Sequence, residues 1–103
     1  MATPDFILDL RAAVGTRMLW LSGVTVGVHR DGPAGQEWLF VRNAESGSWS
    51  PVTGIIDPGE HPYQAAVREV AEEVGLRVRD VTYLSSQAWP FPHSLMMGFT
   101  ADY

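Results

Sequence analysis

Residues Gly54 to Leu76, GIIDPGEHPYQAAVREVAEEVGL, constrain this chain more than any other stretch. Gly54, Glu60, Arg68, Glu69, Glu72, Glu73 and Gly75 stand at the spacing Gly-x5-Glu-x7-Arg-Glu-U-x-Glu-Glu-x-Gly-U, with apolar Val70 and Leu76 at the U positions. From average residue usage, that pattern arises by chance on the order of once in 10⁹ windows. Locally it reads as strand end, turn, helix and stop. Asp57-Pro58-Gly59 makes a tight turn that delivers Glu60 to a helix, with Pro62 suited to its first position. Gly75 ends that helix as a C′ glycine, and Leu76 supplies the hydrophobic contact of the stop. Over Pro62 to Val74 successive residues turn by about 100°, so Glu69, Glu72 and Glu73 share one face. Val67, Val70, Ala71 and Val74 fall on the opposite, apolar face.

Like charges at this spacing repel by a few tenths of a kcal/mol per pair on an isolated helix. A bound divalent cation turns that repulsion into attraction, and clustered carboxylates suit a hard, oxygen-seeking ion such as Mg²⁺. A Glu-rich helix is ordinarily a solvated acidic face, but the flanking Gly54, Glu60 and Arg68 argue for a site. The full spacing is the signature of the Nudix hydrolases, which this chain resembles, with the Nudix box at 54–76. The resemblance implies a Nudix-type α/β/α sandwich with a mixed β-sheet. It also implies Mg²⁺- or Mn²⁺-dependent attack of water on a diphosphate. Carried onto matching positions, Glu72 and Glu73 are metal ligands, with a backbone carbonyl near Gly54 contributing. Glu69 is a further ligand or the base that deprotonates water. Arg68 and Glu60 support the site by charge pairing, Arg68 being counted with the catalytic group, and Gly75 is structural.

A second segment, Ser86-Gln87-Ala88-Trp89-Pro90-Phe91-Pro92-His93-Ser94, resembles the SQPWPFPxS signature of the NADH pyrophosphatase branch, with Ala88 in place of the first proline. Aromatics stiffened by prolines are ordinarily core or interface residues. The literal match instead implies that Gln87, Trp89, Phe91 and Ser94 bind substrate, the rings packing near an adenine or nicotinamide. NADH or NAD⁺, split to AMP and nicotinamide mononucleotide, is the substrate this favours. The front half, from PDFILDLR through LWLSGV to WSPVTGIIDPGE, resembles compact actinobacterial Nudix hydrolases more than the pyrophosphatase branch. Relative to the pyrophosphatase branch, the chain reads as C-terminally shortened. It lacks that branch's four-cysteine module and a further strand, helix and acidic residue; after Glu73 its acids are Asp80 and Asp102. The alternative expectation is therefore a shortened, weakly active or inactive domain that binds nucleotide or a protein partner. A homodimer that completes the fold by edge pairing is a third.

Composition sets the outer bounds. A chain of 103 residues suits one Nudix domain over 1–103, able to bury roughly 60–65% of its unfolded surface. A hydrophobic fraction of 46% and four Trp favour a folded protein. The net charge of −5 is largely local, because the box holds Asp57, Glu60, Glu69, Glu72 and Glu73 of the twelve acids. That argues against a general nucleic-acid or anionic-membrane surface while leaving a metal-bound nucleotide compatible. Cysteine is absent, which excludes disulfides and thiolate zinc sites. No signal peptide or membrane-length apolar run is present, so a cytoplasmic protein is expected.

Along the rest of the chain, Thr3 reads as an N-cap with Pro4 at the first helical position and Gly15 as the stop. Phe6, Ile7, Leu10, Ala13 and Val14 form that helix's apolar face. Leu19 to His29 alternates as a strand with Val24, Val26 and Val28 on one side and Gly23, Thr25 and Gly27 on the other. Gly23 and Gly27 leave room for a neighbouring side chain or a ligand. Residues 31–35 read as a loop and Glu37 to Arg42 as an antiparallel strand. Trp49 to Ile56 leads into the box, with Pro51 limiting how central it can be. Val78 to Leu84 and Leu95 to Tyr103 read as strands flanking an irregular Ser86 to Ser94. His29, His61 and His93 fall at no helical metal spacing and read as structural, with His93 alone near substrate.

Overall fold

The computed structural model describes residues 3–16, 21–88 and 94–103, with Ala88 and Ser94 described by their backbone. Helix α1 spans Asp5–Val14 and ends at Gly15, which takes φ 65°. Its N-cap is Pro4 rather than Thr3: ψ 147° holds Pro4 outside the helix while its carbonyl accepts from the Ile7 and Leu8 amides. Of the expected apolar face, Ile7 is buried and Phe6 and Val14 are half-buried, whereas Leu10 and Ala13 are exposed.

Strand β1 (Leu21–Gly32) is the spine of a five-stranded mixed sheet. Along one edge it pairs antiparallel with β5 (Val52–Ile55) and then with β2 (Gly35–Trp38). Along the other it pairs parallel with β7 (Ser94–Asp102), and β7 in turn pairs antiparallel with β6 (Arg79–Ala88). The expected loop at 31–35 shrinks to Pro33-Ala34 because Asp31 and Gly32 stay in register with Gln36 and Gly35. The expected strand Glu37 to Arg42 divides: Trp38 ends β2, and β3 (Val41–Arg42) leaves to form a separate hairpin with β4 (Trp49–Ser50). Pro51 separates β4 from β5, since it has no N–H to continue a ladder. Ser86 to Ala88, expected to be irregular, are instead ladder residues opposite Met97, Met96 and Leu95.

The β1 glycines admit neighbouring side chains. A Cβ on Gly27 would lie 3.0 Å from the Trp38 ring, and one on Gly23 would lie 2.7 Å from Met96 Sδ. His29 acts structurally, its Nδ1 3.1 Å from Asp102 Oδ1 and its ring against Trp38.

Helix α2 (Pro62–Val74) lies on the sheet and packs on β5, β1 and β6. Its contact face is Ala65, Ala66 and Val70, all fully buried against Val24, Val26, Val28, Val52, Phe99 and Ala101. The small alanines allow close approach, and this rotates the helix relative to the simple opposition of valines and glutamates. Ala71 is exposed, while Glu69 turns inward beside Val70. No helix among the described residues is long and apolar enough to cross a membrane. Val70→Ala should lower unfolding free energy by about 1–3 kcal/mol. Urea denaturation should show this as a reduced midpoint at unchanged slope.

Candidate active site

The box is assembled around Arg68. Its Nε and Nη2 donate to the two Glu60 oxygens at 2.8 and 3.0 Å, a bidentate pair, and Nη2 also reaches the Ile55 carbonyl at 2.9 Å. Nη1 donates to Glu69 Oε1 at 2.9 Å and Glu72 Oε2 at 3.2 Å. One guanidinium therefore joins the end of β5, the turn and the helix. Glu60 is further fixed by the Asp57 amide, which donates to its Oε1 at 3.1 Å. The turn needs Gly59, which takes φ 78°, and α2 then starts at Pro62 with the His61 amide donating to Gln64 Oε1. At the far end Gly75 adopts the left-handed conformation at φ 70°, ψ 18°, and its amide returns to the Ala71 carbonyl.

Glu69 is the buried member of the acidic face, with 3% of its surface exposed, whereas Glu72 and Glu73 are open to solvent. It fits because Gly54 lies beneath it: a Cβ on Gly54 would overlap the Glu69 carboxyl group. Burial pushes the Glu69 carboxyl above its ordinary range, and the Arg68 hydrogen bond opposes that shift without reversing it. The Glu60 carboxyl goes the other way, held low chiefly by its hydrogen bond to Arg68. Arg68 is itself shifted upward, first by Glu60.

Glu69, Glu72 and Glu73 line one cleft of about 800 Å³ together with Thr53 of β5. The β3–β4 hairpin also lines it, through Arg42, Asn43 and Ser50. A second depression of about 490 Å³ lies on the other side of Glu69 and Glu72, where Phe6 of α1 meets Asp57 and Arg68. Among the described residues, no three acidic or histidine side chains converge closely enough to enclose an ion. The donor set nevertheless suits a hard cation: every side-chain donor is a carboxylate oxygen, and no protein donor reaches Glu69 Oε2 among the described residues.

Of the other site residues read from the sequence, Gln87 is exposed on β6, opposite Met96, and does not line the glutamate cleft. Trp89, Phe91 and His93 lie outside the described residues, as does the Ser94 side chain. The parallel β1–β7 pair does bring Ser94 level with Leu21, next to the point where the Ile56 amide bonds the Ser22 carbonyl. That end of the sheet is the one from which the box loop departs. Arg42, Asn43, Ser50 and Thr53 were missed by sequence reasoning. They sit in no recognisable spacing: the hairpin carries Arg42, Asn43 and Ser50 to the cleft, and Thr53 reaches it from β5, against which α2 packs.

The NUDIX domain family model matches residues 21–103. This chain belongs to the NUDIX family. Curated relatives include the NAD-capped RNA hydrolase NudC of Pseudomonas entomophila, 46% identical over 71 residues that span 67% of this chain and 26% of the relative. The Pseudomonas aeruginosa NudC is 48% identical over the same shares. The chain thus spans about a quarter of the length of these relatives. Among solved structures, a MutT/nudix family protein from Enterococcus faecalis superposes at TM-score 0.72 over 98% of this chain and 44% of its own, at 15% identity. The C. elegans Ap4A hydrolase superposes at TM-score 0.65 over 82% and 68%, at 20% identity. These neighbours share the mixed-sheet Nudix fold.

Gly54→Ala should expel Glu69 from its seat and destabilise the domain by about 1–3 kcal/mol, read by thermal unfolding. Glu60, with its folded pKa below the ordinary value of 4.5, stabilises the fold above that pH and loses this contribution as pH falls through the lowered value. Glu60→Gln should therefore be less stable than wild type at pH 7, with the difference shrinking on acidification below pH 4.5.

Proposed function

We propose that this Nudix domain hydrolyses the diphosphate linkage of an NAD-type dinucleotide in the presence of a divalent cation, Mg²⁺ or Mn²⁺. The observation that carries the reading is the convergence of Glu69, Glu72 and Glu73 on one cleft, with Glu69 seated on Gly54. The similarity to NudC supports the NAD-type substrate. Nudix hydrolases generally require a divalent ion. In this reading Glu72 and Glu73 hold it, with Glu69 and the Gly54 carbonyl as further oxygen donors. When bound, the cation neutralises diphosphate charge and makes coordinated water more acidic.

The chain's own residues supply the rest. Glu69, whose buried carboxyl is shifted upward, is suited to accept a proton from water at its Oε2. Arg68 positions the Glu69 and Glu72 carboxylates, and Glu60 and Gly75 keep the loop and helix end in place. The water oxygen bonds to one phosphorus, the bond from that phosphorus to the bridging oxygen breaks, and each product leaves with one phosphate. Gln87, Trp89, Phe91 and Ser94 are assigned to contacts with the nucleotide, Trp89 and Phe91 to its rings.

NADH incubated with Mg²⁺ or Mn²⁺ should yield AMP and reduced nicotinamide mononucleotide, resolved by chromatography. Glu72→Gln should abolish turnover, and Glu69→Gln should reduce it by roughly 10²–10⁴-fold. Unchanged product formation in Glu72→Gln would overturn the assignment of the site.

A further inference from the structure

The cleft lined by the three glutamates also carries a cation that the box does not explain. Arg42 is the sole cationic side chain among the described residues lining that cleft. It is exposed and forms no ion pair or hydrogen bond among the described residues, although Glu45 lies three positions away and Glu69, Glu72 and Glu73 share the cavity. Arg30 and Arg68, by contrast, are each engaged by carboxylates, and Arg11 donates to the Gly15 carbonyl. Arg42 instead lies over the Trp49 ring, 6.0 Å from its centroid, and Trp49 is its direct partner across the hairpin.

Its placement is set locally. Asn43 Oδ1 accepts from the Glu45 and Ser46 amides, and the Asn43 and Gly47 amides close the turn onto Ser48 and Asn43. Gly47 takes the positive φ of 73° that the turn requires, and it lies beside the Arg42 guanidinium. Trp49 itself is 66% exposed, so its large ring is spent on a surface contact rather than on core burial. A guanidinium resting on an aromatic face keeps its in-plane N–H donors available, and their fork matches two oxygens of a phosphate. We propose that Arg42, propped by Trp49, is the residue that grips the substrate's phosphates in the cleft it lines with the glutamates. Arg42 would contact non-bridging diphosphate oxygens directly, and Trp49 is a positioning residue that acts through it. This inference rests on the assignment of the cleft to a diphosphate substrate.

Calorimetry with inorganic diphosphate in the presence of Mg²⁺ tests it without requiring turnover. Arg42→Ala should weaken binding by about tenfold to a hundredfold, with Arg42→Lys intermediate because it keeps charge but loses the fork. Trp49→Leu should weaken binding by a few fold and Trp49→Phe should restore most of it, at unchanged melting temperature. Equal affinity of wild type and Arg42→Ala, or no diphosphate binding by wild type, would overturn the inference. NADH kinetics separate it from the parent reading. Hydrolysis that persists in Arg42→Ala with unchanged KM removes Arg42 and leaves the dinucleotide reading standing. Arg42-dependent diphosphate binding without NADH turnover does the reverse.

Discussion

The site depends on a single guanidinium shared among four acceptors. Arg68 is about one-quarter exposed, enough for its attractions to be only partly screened by solvent. Its bidentate grip on Glu60 and its bond to the Ile55 carbonyl fix the distance between the end of β5 and α2. Its remaining N–H groups hold Glu69 and Glu72 side by side, where their charges would otherwise repel. A buried or half-buried ion pair is weak evidence for net stability, because desolvation offsets much of the attraction. What this one supplies is geometry: the turn from Asp57 to Glu60 can close in one way only when both of its ends answer to Arg68.

Glu69 shows the conflict between fold and chemistry most clearly. Its position in the helix places it beside Val70, on the side that meets the sheet, where an apolar residue would pack without a desolvation cost. The fold accommodates it by omitting a side chain at Gly54 and by supplying Arg68 on one carboxylate oxygen. The other oxygen has no protein donor among the described residues. Local rules of packing are broken at this residue and kept around it, which is the pattern of a functional position.

The sheet contributes by arranging who faces the helix. β1 carries three strands along its two edges, so the β5 segment that ends in Gly54 and Ile55 is held in register by the same spine that fixes β7. The β3–β4 hairpin stands apart from that sheet and contributes to the lining of the cleft. Its ladder is two pairs long, and the Asn43 turn that joins its strands closes on its own hydrogen bonds.

Residues 54–76 were legible from order alone because every determinant there is local: a turn glycine, a proline at the helix start, a left-handed glycine at its end, and charges at helical spacing. The alternating valines of β1 likewise announced a strand with one buried face, and Val24, Val26 and Val28 are buried. Other features needed contacts between distant segments. Which way α2 faces was decided by Ala65 and Ala66 fitting against the sheet, and this buried Glu69 and exposed Ala71 against the simple helical-face reading. The ladder from Ser86 to Ala88 was hidden because pairing with Met96 and Met97 outweighed the look of a proline-rich segment. Arg42 reached the glutamates through a hairpin whose strands are two residues each, too short to leave a periodic signal. Sequence order determined the helix, its stops and its charges, because those depend on residues within a few positions of one another. Tertiary structure alone decided which carboxylate is buried, which glycine makes room for it and which cation shares its cleft, because those are set by packing between elements far apart in the chain.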